Sequence, residues 1–361
     1  MNRPRTVHPS TEAEPAEQPR ERGPGPDRHP RVALVRTVVS AALGIVLLVA
    51  LLRQAGVDQI HERMDALGPW SPLVLVPWLV IAVCDALGWR WTLPPAAAAR
   101  VPLVSLTLVR MAGEAVNSVT PTVAVGGEPV KAHLLRAWGV SSADSLASIV
   151  IAKTALTLTQ SLFVVLGIAA LCERWDQGAR GVLWVGLLLL ATVGFALGLV
   201  YLQRRGPAST VWRWMRRMAP RLRLVARLEE GARALDARLE DFYRIERRAL
   251  WWASAWHLLG WLLGVTEVML IMYLIGAPVP WQEALIIEAL SQPIRAAAIV
   301  IPGGLGTQEI GGVALCTLLG MPAPEAATLW LLKRGRELVF DGAGLVYLAH
   351  RSAARRRPRA G

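Results

Sequence analysis

Glu309 follows directly on Ile301-Pro302-Gly303-Gly304-Leu305-Gly306-Thr307-Gln308, in a part of the chain apolar enough to lie in a membrane. One apolar run, 284–301, leads into this stretch and another, 310–320, leads out. Pro302 has no amide hydrogen, and Gly303, Gly304 and Gly306 leave the backbone unconstrained, so no regular helix should pass through. Broken backbone at membrane depth is tolerated only where protein or a water-filled cavity satisfies its polar groups. The stretch reads either as a broken-helix substrate site or as a Gly/Pro turn at the membrane surface. A second stretch, Thr120-Pro121-Thr122-Val123-Ala124-Val125-Gly126-Gly127-Glu128, has the same build and favours the substrate site.

Charge sharpens the question. A charged side chain at the centre of a spanning helix costs about 2.5–3.5 kcal/mol on insertion scales. Glu128, Lys153, Arg295, Glu309, Arg334 and Glu337 all lie within or beside apolar runs. Two compatible readings follow. Glu309 can pair with Arg334 and Glu128 with Lys153, as clamps between helices. Alternatively, the six line a polar central cavity for a lipid headgroup or a coupling proton. Glu114 and Asn117, three positions apart, share a helical face and either line that cavity or bond helix to helix.

Other chemistries find little support. Gly303-Gly304-Leu305-Gly306 is no phosphate loop, because no Lys-Ser/Thr follows it and no strand precedes it. His133 and His257 are isolated along the chain, so neither metal nor cofactor is expected. No Gly-x-Ser-x-Gly signal suggests a hydrolase, and no catalytic residue is assigned. Cys84, Cys172 and Cys316 have no metal-binding spacing.

The elements that must hold these residues are membrane helices. The chain has 361 residues, 53% of them hydrophobic, with mean hydropathy +0.39. Its 15 tryptophans suit helix ends at the lipid–water interface. The net charge of +12 is explained by arginine-rich loops on the cytoplasmic side rather than by nucleic acid. Residues 1–30 read as a disordered cytoplasmic N-terminus, 31–202 as a first membrane repeat and 203–249 as a basic cytoplasmic segment. The second repeat starts at 181 and its remainder is 250–350, ahead of a basic cytoplasmic tail, 351–361. Within 204–248, Leu228, Ala232, Leu235, Leu239 and Phe242 recur with the period of an amphipathic helix, lying on the bundle or the headgroups or else binding a partner.

At an offset of 181 positions Pro121 falls on Pro302, Glu128 on Glu309, Gly139 on Gly320, Asp144 on Glu325 and Lys153 on Arg334. One step off this register Asp85 lies opposite Glu267. The expected fold is therefore all-α, a polytopic bundle of about six spanning helices (32–52, 70–91, 142–171, 181–201, 250–275 and 324–349) with re-entrant hairpins at 103–139 and 284–320. With three crossings per half the second half is inverted, and the hairpins enter from opposite sides toward the midplane.

The pattern Glu114-Ala115-Val116-Asn117 with Pro121 and Val125-Gly126-Gly127-Glu128 resembles the lysylphosphatidylglycerol-synthase transmembrane-region, flippase-like family. So does the stretch from Pro302 to Glu309. His257-Leu258-Leu259-Gly260-Trp261-Leu262-Leu263-Gly264 and 283–295 are similar to its hopanoid-biosynthesis-associated branch. The resemblance implies a multi-pass bacterial inner-membrane protein, both termini cytoplasmic, that translocates or localises lipids. Membrane lipids, hopanoids among them, and lipid-biosynthesis proteins are its implied partners. The alternative is a membrane-embedded lipid-headgroup transferase or an accessory scaffold. The soluble aminoacyltransferase domain of the full-length synthases has no counterpart in this sequence, so lipid aminoacylation is not expected.

Overall fold

The computed structural model describes residues 46, 49, 53, 56–120, 126–218, 223–297 and 306–356. Within them lie thirteen α-helices and no β-strand. The expected span at 32–52 and the break residues Pro121, Pro302, Gly303 and Gly304 fall outside the described residues. In chain order the helices are α1 (Val57–Asp65), α2 (Leu75–Thr92), α3 (Pro95–Arg100), α4 (Leu103–Val119), α5 (Gly127–Leu135) and α6 (Ser142–Arg174). Then come α7 (Gly178–Arg204), α8 (Pro207–Met218), α9 (Arg223–Ile245), α10 (Arg247–Leu274), α11 (Trp281–Ala297), α12 (Thr307–Leu318) and α13 (Ala323–Arg356).

Among the described residues four stretches are long and apolar enough to cross a membrane: Gly68–Thr92, Ser142–Arg174, Gly178–Arg204 and Arg248–Leu274. The protein is an all-α polytopic membrane protein. α13 is the longest helix described, 34 residues, but its interior carries Lys333, Arg334, Arg336, Glu337 and Asp341 and is far less apolar. Its polar face is turned inward, where Lys333 and Arg336 are buried.

α2 and α10 pack along each other antiparallel. Trp91 stacks on Trp252 at 5.9 Å, Asp85 meets His257, and Gly260 lies beside Asp85 and Ile81. Since α10 is the second-half counterpart of α2, this direction means that the second half is inverted. Other contacts obey the same exchange. α4 packs on α13, where Gly344 sits against the Met111 backbone, and α11 packs on α6, where Gly167 sits against Ala289. Shifting Met111 and Gly344 by 181 in opposite senses gives Gln292 and Phe163, within about one turn of that second contact.

Both hairpins return to the end they left. Arg100 donates to the Gly139 carbonyl at 3.4 Å, and Leu93, Val101, Leu135 and Val140 share one apolar cluster at the base of α4 and α5. At the other end of the 33-residue α6, Arg174 reaches both Glu283, in the first turn of α11, and the Leu319 carbonyl, after α12 runs out, each at 2.8 Å. A helix of that length is about 50 Å long, so the hairpins are re-entrant from opposite ends of the bundle. Gly139 and Gly320, partners in the repeat, both adopt left-handed backbone (φ 69° and 92°) and end the returning segments.

Two connections differ from expectation. The polar link before the second span contains α1, whose Arg63 bridges to Glu325 at the start of α13 (2.7 Å). The basic segment is two helices, α8 and α9, and Leu239 and Phe242 of α9 are buried against Ala147 and Ile151 of α6. Arg238 of α9 bridges to Asp144 at the start of α6 (2.7 Å), the counterpart of the Arg63–Glu325 bridge. The tryptophans likewise do not all sit at the interface, since Trp89 and Trp330 are buried.

The inversion has a direct check. Cysteines at exposed Ala137, after α5, and Pro322, after α12, should react with a membrane-impermeant thiol reagent from opposite sides of the membrane; labelling from one side would refute the topology.

Candidate functional site: a charged cavity between two inverted hairpins

In the first hairpin the returning helix lies so close to the ingoing one that a Cβ on Gly127 would overlap the Gly113 carbonyl oxygen. Asn117 Oδ1 accepts from the Gly127 amide at 2.7 Å, satisfying a donor at the open N-terminus of α5. This is the hairpin-internal bond, one of the two roles expected of Asn117; its amide also donates to Glu114 at 3.4 Å. Beyond it four charges alternate. Lys131 Nζ contacts Glu114 Oε1 at 2.6 Å and Glu128 Oε2 at 3.2 Å, while Lys153 Nζ contacts Glu128 Oε1 at 2.6 Å.

The second hairpin repeats the theme with altered signs. Arg334 holds Glu309 through its Nε and Glu337 through Nη1 (2.7 Å), and Glu337 in turn takes Arg295 at 2.8 Å. The Glu128–Lys153 and Glu309–Arg334 pairs coincide at the 181 offset, and both cations sit about three turns inside their long helices. Arg295 stands where the first repeat has Glu114, and the bridging charge moves from the returning helix (Lys131) to α13 (Glu337). Of the break glycines, Gly306 has left-handed backbone (φ 76°) just before α12, whereas Gly126 is ordinary right-handed backbone before α5.

Between the halves lies a cavity of about 280 Å³, near the lower end of ligand-site volumes of about 300–1,000 Å³. Both repeats line it, with Glu114 from the first and Arg295, Arg334 and Glu337 from the second; Trp78, Trp261 and Phe340 supply apolar walls. A smaller pocket of about 40 Å³ adjoins it through Arg110, Glu114, Leu156 and His257 and reaches Glu128, Lys131 and Lys153. Glu309 lines neither pocket: it is 1% exposed, behind Arg334. The arrangement offers cations whose carboxylate partners an incoming anionic group could replace.

Several participants were not singled out from sequence. Lys131 stands close to His133 and Arg136 in the chain and carries no sequence signal that separates it from them. His257, isolated along the chain, has a carboxylate partner in space: its Nδ1 lies 2.8 Å from Asp85 Oδ1, and Asp85 Oδ2 lies 2.7 Å from Arg110. Behind the cavity a sealed group joins α10, α11 and α13. Lys333 Nζ contacts Glu267 at 3.1 Å and Glu288 at 2.6 Å, and Arg336 pairs with Glu267 while stacking 3.8 Å over Trp78. Each is a charge inside an apolar run, the signal that picked out the other six.

The model of the lysylphosphatidylglycerol synthase TM region matches residues 34–343. The chain belongs to that family. A "UPF0104 membrane protein" of Methanothermobacter thermautotrophicus (strain Delta H) is 23% identical over 309 residues, covering 81% of this chain and 88% of that one. No solved structure matches. The family match takes in both hairpins and every residue of the two charge alternations.

The sealed group sets a stability expectation. Glu267→Ala takes from Lys333 one of its two carboxylates and from Arg336 its closer one, and should lower stability by about 3–5 kcal/mol. Lys153→Ala, at a side chain 47% exposed, should cost far less. Thermal melting of both variants in detergent checks the order.

Proposed function

We propose that the protein moves lipids between the leaflets of a bacterial cytoplasmic membrane, with the headgroup in the central cavity and the tails in the bilayer. One observation carries this reading: two re-entrant hairpins from opposite ends bring Arg110 and Glu114 of one and Arg295 of the other to a single cavity walled by both repeats. Helical breaks at such places are where carriers built from inverted repeats bind their cargo. Apart from Asp341, the charges of the two pockets are mutually paired. A headgroup phosphate therefore enters by displacing Glu309, Glu337 or Glu128 from Arg334, Arg295 or Lys153, and the displaced carboxylate must be taken up by water in the cavity.

The lipid class that fits is anionic, an isoprenoid phosphate or a phospholipid; the hopanoid assignment rests on the segments 257–264 and 283–295. The arginine-rich α8 and α9 favour a cytoplasmic Ser142 end of α6, which puts both chain termini on the same side in this reading. Because the apolar face of α9 is occupied by α6, a scaffold that recruits enzymes through that face is less favoured.

Glu309→Gln should abolish lipid relocation while the protein still inserts, since Arg334 keeps a hydrogen-bond acceptor there but loses one of its two charge partners. Leaflet analysis of reconstituted vesicles with a labelled phospholipid reads this. Unchanged distribution would count against the mechanism, and a change in the mass of the lipid would point to a headgroup transferase instead.

A further inference from the structure

Asp85 is the first-half counterpart of Glu267, one step off the 181 register, yet the two are neutralised differently. Glu267 takes Lys333 and Arg336 from α13. The equivalent positions on α6 are Ala152 and Ala155, so Asp85 cannot be served from there. It takes Arg110 from α4 and His257 from α10, a helix of the other half. Imidazole is the side chain whose ordinary charge change falls between about pH 5 and 8. Where the second half uses cations only, the first half uses a cation and a titratable ring.

His257 lies where the halves cross, and it is 2% exposed. With Nδ1–H donated to Asp85, Nε2 carries a lone pair, and that nitrogen is buried without a hydrogen-bond partner. It packs against Gly88 of α2, where a Cβ would stand 2.8 Å from it. The charged groups facing His257 around the smaller pocket are Asp85 from α2, Arg110 and Glu114 from α4, Glu128 and Lys131 from α5, and Lys153 from α6. These three acids and three bases cancel. On the larger cavity, α11 and α13 present Glu288, Arg295, Arg334, Glu337 and Asp341, of which all but Asp341 are tied into ion pairs.

We propose that the Asp85–His257 pair is a proton-binding switch that sets how α2 and α10 cross. A proton arriving at Nε2 turns the lone pair into an N–H that points at Gly88 with no acceptor among the described residues. That penalty is relieved when the two helices shift far enough to admit water or an acceptor. Protonation thereby moves one half against the other. The inference rests on the translocation reading only for what the motion drives; the crossing itself can be measured without any lipid being moved.

The test uses the full chain with Cys84, Cys172 and Cys316 replaced by alanine and nitroxides at Leu79→Cys and Tyr273→Cys, which are exposed on α2 and α10. In vesicles of phosphatidylglycerol and phosphatidylcholine, inter-label distances are recorded from about pH 5 to 8, the imidazole range. A second distance population should grow as pH falls, its ratio to the first changing by up to about tenfold per pH unit, the limit for one proton. His257→Gln, which retains a donor toward Asp85, should give one pH-independent population. A distance distribution with no pH dependence in the otherwise unaltered chain overturns the switch whether or not the variant folds. So does an undiminished pH response in His257→Gln. Loss of lipid movement with the distance change intact would sink the translocation reading and leave the switch standing.

Discussion

Buried charge must be neutralised inside this bundle, and that requirement fixes which helices meet. Lys333 and Arg336 are 2% exposed, and an ion left alone in such surroundings costs several kcal/mol even after relaxation. Their carboxylates, Glu267 and Glu288, stand on α10 and α11. One cluster therefore obliges α13, the ingoing arm of the second hairpin and the central helix α10 to share a single contact. Because α10 also lies along α2, the same constraint carries into the first half. Hydrophobic packing fills the space around it, but in lipid an apolar side chain gains little by choosing one apolar neighbour over another.

The inverted halves solve one problem twice with different residues. Each closes its hairpin with a carboxylate on the returning helix and a cation on the next long helix, Glu128–Lys153 and Glu309–Arg334. Each ends the returning segment on a left-handed glycine, and each bridges the first turn of the next long helix to an arginine from a flanking amphipathic helix. The repeats part company where charges cross between helices. Glu114 becomes Arg295 and alanines replace the two sealed cations, so first-half charges must look to the cavity and to the other half for partners.

Much of this was legible in the chain because lipid makes charges conspicuous. The pairs Glu128–Lys153 and Glu309–Arg334 followed from insertion cost and a constant offset, and re-entry followed from loops too basic to place otherwise. What escaped depends on distance along the chain. Asp85 and His257 are 172 positions apart and meet only through the antiparallel crossing, which no local period encodes. Lys131 escaped for a different reason: with His133 and Arg136 nearby it looks like a loop cation until Gly127 brings α5 against α4. The helix α1 was hidden in a link too polar to suggest packing, although its Arg63 ties it to α13.

Equivalent pairs need not be in equivalent surroundings, and here they are not. The side chains of Lys153 and Glu128 are 47% and 12% exposed, those of Arg334 and Glu309 only 11% and 2%. The same closure is thus open to its surroundings at the hairpin that enters from the Ser142 end and sealed at the hairpin that enters from the Ala323 end. A bundle related to itself by an exchange of halves has a second arrangement of equal topology, in which these environments are traded. Trading them leaves the sealed cluster of α10, α11 and α13 intact only if the movement is taken up where the halves touch each other. The α2–α10 crossing is one such contact, beside those of α4 on α13 and α11 on α6. Its polar centre is Asp85, held by His257 from the other half and by Arg110 from its own.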